Sequence, residues 1–491
     1  MLKDSMILTF SKGIRAIITL LFNMIIARAF SENLLGTYKH IMLIVNMLTA
    51  ICILGIPTTI SYFYSSYSKE KKNKFLGNTI TILTIISVVT SLLIILFREK
   101  LALMINNPEI LNYINIISIY VFVMIISSFL ENLFISSNSA GGLGKIYITY
   151  TIGNLIFMLT SVFVFKSLYF LILSIVIIEI VRTVIMYVYI KNKEKFILKI
   201  DYPMMTSQIK FALPLGVVAL VQNLNMYIDK LFISNKYEPD QFAAFANAAT
   251  DIPLVGIVTV SVAAVILPHM SKIYRESKDF HAVLDIWKDS CNKTAIIMFP
   301  IFWIAFLFSV GYIELIFSEK YIIQSTPIFL IYLMKFPLYC TVFGNILIVL
   351  GKEKYVMYNS IVGIVLNIIL NSVLINIIGM KGSALSTVLV QYVVVYLQLK
   401  QIAKNTNVSI LKLMPYKKLF LIFIIPGFLA IPLSIISNFL GMSECMSLIV
   451  MGGTTYILSF ITYYYINIID RKYVEEIIKI VNRREYLGGR K

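Results

Sequence analysis

The sequence predicts an all-α integral membrane protein of about 14 transmembrane helices: two pseudo-symmetric six-helix lobes followed by two additional helices. Three observations predict it. The chain of 491 residues is 59% hydrophobic and only 14% charged, whereas soluble domains carry about 25% charged residues. Apolar runs near the roughly 20 residues needed to cross a bilayer recur along its whole length. The basic residues gather on alternate connections between those runs.

Taken in order, the spans fall near 6–28, 39–64, 76–97, 112–137, 146–164, 170–190, 208–233, 242–268, 291–313, 326–350, 356–377, 383–402, 419–438 and 447–466. The first is read as a retained span. Ala27-Arg28-Ala29 matches a small-x-small cleavage pattern, but Lys12 and Arg15 interrupt the apolar run before it, and a second run follows at once. Pro426 and Pro432 are expected to break the thirteenth. With the N-terminus inside, 31 of the 43 Lys and Arg residues lie on the cytoplasmic side and eight outside. Both termini are therefore expected in the cytoplasm. The cytoplasmic segments include 69–74, a linker at 191–207, the 269–290 connection and a basic tail at 467–491. In that tail, 473–481 has the periodicity of a short helix, suited to a membrane surface or to solvent.

Two echoes point to a duplication. Asn23-Met-Ile-Ile-Ala-Arg28-Ala-Phe30 lies over Asn225-Met-Tyr-Ile-Asp-Lys230-Leu-Phe232 at an offset of 202, and Gly144-Lys145 over Gly351-Lys352 at 207. The lobes would be 1–190 and 208–402, joined by the linker, with 403–466 holding the two added helices. Parallel repeats of this kind place a substrate pathway at their interface.

The net charge of +18 belongs to cytoplasmic loops in so apolar a chain, and nucleic-acid binding is excluded. Four dispersed cysteines and three histidines show no metal-ligand spacing. No nucleotide-binding or metalloprotease motif is present, no catalytic set emerges, and no external segment is long enough to fold into an enzyme domain. The reading is of a non-enzyme without cofactor, apart from a coupling ion, H⁺ or Na⁺.

Chemistry therefore rests with charges at membrane depth, which are costly against lipid and mark functional sites. Arg15, Arg28, Arg182, Lys230 and Lys335 form a cationic set suited to a phosphate or pyrophosphate. Glu131, Glu179, Asp229 and Asp251 are candidates for coupling or gating. Each has a plainer reading. Glu179 and Arg182, three apart, suit an intrahelical pair; Arg28 and Lys230 suit snorkelling to headgroups; Asp229 and Lys230 point about 100° apart. Asp251, beside Pro253 in a run of small residues, suits a bent, close-packed helix.

The run Gly351-Lys-Glu-Lys, Leu366-Asn367-Ile-Ile-Leu-Asn371 and Gly379-Met-Lys-Gly382-Ser-Ala-Leu-Ser-Thr387, with Ile228-Asp229-Lys230, Ala243–Pro268 and Ile26-Ala-Arg28…Gly36-Thr-Tyr38, resembles one family. It is the polysaccharide (oligosaccharide) flippase branch of the multidrug/oligosaccharidyl-lipid/polysaccharide exporter superfamily. The resemblance covers essentially the whole chain. It implies a two-lobed bundle working by alternating access in the bacterial cell membrane, moving an isoprenoid-pyrophosphate-linked oligosaccharide from inner to outer leaflet. The partners it implies are that lipid-linked substrate, membrane lipids, and the polymerase and glycosyltransferases of the same pathway. A peptidoglycan-precursor flippase and a cation-coupled drug exporter of the superfamily are the alternatives; a membrane-embedded polymerase or acyltransferase would need the external loop or catalytic cluster that is missing.

Overall fold

A computed structural model describes residues 2–469. The described chain is almost wholly helical, with no strand among the described residues. The tail segment 473–481 lies outside them.

The principal helices are α1 (Leu2–Ala29), α2 (Glu32–Cys52), α3 (Lys69–Leu96), α4 (Ile114–Ser127), α5 (Ala140–Thr160), α6 (Leu168–Glu194), α7 (Tyr202–Lys236), α8 (Pro239–Ala248), α9 (Pro253–Ser277) and α10 (Phe280–Leu307). They are followed by α11 (Ile322–Leu333), α12 (Gly344–Val349), α13 (Glu353–Ile378), α14 (Met380–Thr406), α15 (Tyr416–Phe439) and α16 (Glu444–Tyr465). Among the described residues, 13 helical segments are long and apolar enough to cross a membrane. They match the expected spans except 326–350.

That span is interrupted. α11 ends at Leu333, Phe336–Cys340 forms a 3₁₀ turn, and α12 begins at Gly344. Pro337 has no amide hydrogen to continue a helix, and Tyr392 Oη donates to the Met334 carbonyl at 2.8 Å. The eighth span is also two helices: α8 stops at Ala248 and α9 opens on Pro253, leaving Asp251 in the unwound join. Proline at a first helical turn is unstrained, so Pro253 starts a helix rather than bending one. The second span likewise divides, into α2 and a short helix at Ile56–Phe63. The thirteenth behaves oppositely to expectation. Pro426 and Pro432 both sit inside an unbroken α15, as tightly packed membrane helices permit.

Starts and stops follow local chemistry. Ser31 accepts from the Leu34 amide at 3.4 Å, Asp201 from Met204 at 3.0 Å and Asp279 from His281 at 2.8 Å, each satisfying a free amide of a first helical turn. The Gly379-Met-Lys-Gly382 turn has a separate reason for each glycine. Gly379 adopts φ +63°, and a Cβ on Gly382 would lie 2.2 Å from the Leu374 carbonyl oxygen.

The described chain divides into two compact units. Within the described residues, one comprises the chain up to Ala248, Ile316–Lys320 and Ser360–Ser386; the other comprises Ala249–Leu315, Tyr321–Asn359 and the chain from Thr387 onward. In the first, α2 and α8 approach so closely that a Cβ on Gly36 would sit 1.8 Å from the Pro239 carbonyl oxygen, and His40 stacks on Phe242 at 4.0 Å. The linker is strapped to α3. Asn78 and Asp201 exchange two bonds of 2.9 Å, side-chain amide to backbone in each direction, and Lys74 lies 3.1 Å from the Asp201 carboxylate. In the second unit, α10 and α15 lock through Trp303 Nε1 donating to the Phe423 carbonyl at 2.7 Å.

Candidate functional site

The first unit's polar feature begins on α1. Lys12, Arg15, Thr19 and Asn23 recur at spacings of three, four and four, which puts them on one face of the helix. Lys12, Arg15 and Thr19 are exposed on the chain's surface and Asn23 is partly so. This stripe runs down an otherwise apolar membrane-length helix.

α5 packs along α1. Ser11 Oγ donates to the Gly144 carbonyl at 3.0 Å, where the absence of a side chain lets the helices close. That register presents Tyr147 and Tyr150, one turn apart, to Arg15. Its guanidinium carbon lies 5.7 Å from the centroid of each ring, within cation–π range. The same tyrosines serve the nearby carboxylates. Tyr147 Oη donates to Glu131 Oε2 at 2.6 Å, while Lys12 Nζ lies 2.7 Å from Glu131 Oε1. Tyr150 Oη donates to Glu179 Oε2 at 3.1 Å, and Arg182, 5.3 Å from the Tyr150 ring centroid, pairs with Glu179 along α6. The Tyr150 ring thus has Arg15 and Arg182 both against it.

About 20 Å further along α1, thirteen residues at 1.5 Å each, its C-terminal end carries a second group of cations. Arg28 is exposed in the last turn and donates to the Met24 carbonyl at 3.0 Å. Lys320 Nζ reaches the carbonyls of Arg28 and Phe30 at 3.4 Å, and Lys39 lies 5.9 Å from the Phe317 ring. On α7, Asp229 is buried and accepts the backbone N–H of Lys230 at 2.7 Å, while Lys230 is partly exposed.

In the second unit, Lys335 and Asp251 meet at the two unwound joins. Lys335 Nζ lies 2.8 Å from Asp251 Oδ1, which also accepts from Tyr339 Oη at 3.3 Å. The lysine's side chain is 15% exposed and the aspartate's 57%. Tyr332 and Tyr339 present their rings to the ammonium at 5.1 and 5.7 Å.

One design therefore recurs three times: Glu131, Glu179 and Asp251 each have one cation and one tyrosine. Each carboxylate is thus balanced by protein groups, and of the three Glu179 alone is fully buried, where such balance is required. Arg15 differs, since aromatic faces rather than a paired carboxylate hold it, leaving its N–H fork for an anion. Tyr147, Tyr150, Tyr332 and Tyr339 escape a search of the sequence for intramembrane charges, and Lys12 stood out there only as an interruption of the first apolar run. Their signals were the three-residue spacing of Tyr147 and Tyr150 and the 12-15-19-23 recurrence. Among the described residues, no group of His, Cys, Asp and Glu could hold a metal ion.

A family model described as "Polysaccharide biosynthesis protein" matches residues 41–325, more than half the chain. No curated protein sequence matches it. Among solved structures, the lipid II flippase MurJ in an inward closed conformation is 18% identical, with 94% of this chain and 99% of that one covered and a TM-score of 0.74. An inward-facing multidrug resistance MATE family transporter of the MOP superfamily is 10% identical, over 80% and 96% of the two chains, with a TM-score of 0.64. A MOP superfamily transporter from Pyrococcus furiosus, whose structure is described as having a binding pocket of reversed polarity, is 11% identical over 82% and 95%, with a TM-score of 0.58. At these identities the similarity defines a shared fold.

Proposed function

The chain belongs to the polysaccharide biosynthesis protein family and has the fold of MOP superfamily transporters; from that premise we propose that it flips an isoprenoid-pyrophosphate-linked oligosaccharide from the inner to the outer leaflet of a bacterial cytoplasmic membrane. The observation that carries this reading is the polar stripe of α1 with Arg15 held between Tyr147 and Tyr150. An arginine facing lipid at this depth costs at least ~2.5 kcal/mol. A water-filled path along the stripe removes that penalty, and an anion in the path gains from it.

In this mechanism the pyrophosphate first meets Lys12 and Arg15 near the cytoplasmic end of α1. The guanidinium takes two phosphate oxygens at once, and the tyrosine rings fix its orientation beforehand, so little side-chain entropy is lost on binding. Arg28, Lys39 and Lys230 receive the same charge at the outer end. Alternating access then needs the anion to pass between two cationic groups, with no covalent chemistry and no catalytic residue. Lys335 and Asp251, paired where two helices are unwound, serve as a gate that a proton or sodium ion biases by competing for the pair. Substrate arrives from glycosyltransferases on the cytoplasmic side and leaves to a polymerase outside.

A second reading is favoured by the similarity to the lipid II flippase: the cargo is a peptidoglycan precursor, whose lipid carries the same pyrophosphate. Drug export suits the stripe less well, because cationic drugs would be repelled by it. Proteoliposomes holding either a fluorescent isoprenoid-pyrophosphate oligosaccharide or lipid II decide between the cargoes. Label exposed to an impermeant quencher should rise with the oligosaccharide. A rise with lipid II alone would install the second reading, and efflux of cationic dyes without either would remove both.

A further inference from the structure

A groove of about 320 Å³ lies between α5 and α6, within the size range of small-ligand sites. Its lining divides by chemistry. Lys145, Thr149, Tyr150 and Arg182 supply the polar groups, toward one end, and Ile146, Gly153, Ile178, Val181 and Ile185 the apolar remainder. The helices run antiparallel: Tyr189 crowds Gly142 at one level and Ile178 approaches Gly153 at another. The polar end therefore lies toward the start of α5, on the side where the basic loops gather, with the apolar end deeper. No carboxylate is among the described residues that line the groove.

Arg182 supplies an independent sign of a missing ligand. One guanidinium nitrogen pairs with Glu179, yet its Nε–H is buried with no acceptor among the described residues. A buried donor left unpaired is costly. An anionic oxygen entering the groove would satisfy it.

We infer that this groove binds an anionic phospholipid of the inner leaflet, its phosphate at Lys145 and Arg182 and an acyl chain along Gly153 and Ile178. The groove adjoins the proposed transport path at Tyr150, whose ring stands against both Arg15 and Arg182, but its other lining residues come from α5 and α6, with none of α1 among the described lining residues. Both lipids carry a phosphate, but the choline cation of phosphatidylcholine cancels its charge and is repelled by Lys145 and Arg182, which predicts at least about tenfold tighter binding of phosphatidylglycerol.

Native mass spectrometry of the delipidated full-length protein, titrated with each lipid, measures this directly. Lys145→Glu and Gly153→Leu should each remove the preference for phosphatidylglycerol. The first reverses an exposed charge; the second fills the groove from a position whose Cβ would meet only Ile178 Cδ1, at 3.6 Å. Should Gly153→Leu fail to fold, the surface variant Lys145→Glu still decides. Equal affinity for the two lipids, a preference unchanged in Lys145→Glu, or competition by inorganic phosphate at the same affinity would overturn the assignment. So would retention of an isoprenoid pyrophosphate in place of phosphatidylglycerol, which would make the groove part of the transport path.

Discussion

Replacing Arg15 by alanine separates the binding role of this residue from any structural one. In the structure its guanidinium makes two cation–π contacts, to Tyr147 and Tyr150. At about 0.5–1 kcal/mol each for exposed sites, their loss should destabilise the protein by roughly 1–2 kcal/mol. The Lys12–Glu131 and Tyr147–Glu131 bonds remain, so expression and folding should survive. The effect on transport is larger, because a charge-assisted bond to phosphate contributes about 1.5–3 kcal/mol. At about 1.4 kcal/mol per factor of ten, flipping at subsaturating substrate should fall roughly 10- to 150-fold. The assay is the initial rate of label exposure in proteoliposomes over a range of substrate densities, with thermal unfolding in detergent alongside. Arg15→Lys keeps the charge without the planar fork and should fall between the two. Wild-type rate and half-saturation in Arg15→Ala would refute the cationic-path reasoning.

Four further outcomes follow from the structure. Lys335→Ala should cut transport while leaving expression intact. The pair is partly exposed, so the stability loss should be about 1–2 kcal/mol, between exposed and buried pairs; the charge-swapped Lys335→Asp/Asp251→Lys protein should recover part of the transport. Gly36→Leu should destabilise by about 3 kcal/mol or prevent folding, since its Cβ would overlap the Pro239 carbonyl; Gly13→Ala, whose Cβ meets nothing within 4 Å, is the control in the same melting experiment. Asp201 is held below the ordinary carboxylate range, first by the Met204 amide and then by Lys74. Its contribution is therefore present above its unfolded pKa and lost as pH falls through the lower folded value, so acid melting curves of Asp201→Ala should be flatter below about pH 4. If the echoes reflect duplication, fragments 1–195 and 196–491, co-expressed, should co-purify and transport; failure to associate would count against it.

The helical membrane fold was legible because chain length and recurring apolar runs are strong signals that need no tertiary information. Prolines were not. Pro337 lies in a break, whereas Pro426 and Pro432 leave α15 continuous. What separates them is the surroundings. Around the break, Tyr392 donates to the Met334 carbonyl, and Asp251 pairs with Lys335. Both partners come from distant positions that no local pattern reveals. The charges at membrane depth were found for the same reason the spans were, since each stands out against apolar neighbours. Their tyrosine partners were hidden because 30 tyrosines make any single one unremarked. Only the packing of α1 on α5, set by Ser11 and Gly144, assigns Tyr147 and Tyr150 to Arg15.

The most direct test of the central claim uses the wild-type protein and two lipids that differ only in the linking group. One carries its glycan on an isoprenoid pyrophosphate; the other carries the same glycan on an uncharged isoprenoid ether. Both are reconstituted at equal density, and exposure to the impermeant quencher is followed against protein-free liposomes. Protein-dependent flipping of the pyrophosphate lipid, with little of the neutral one, is the expected result. Equal flipping of both, or of neither, would contradict a cationic path that selects its cargo by the phosphates.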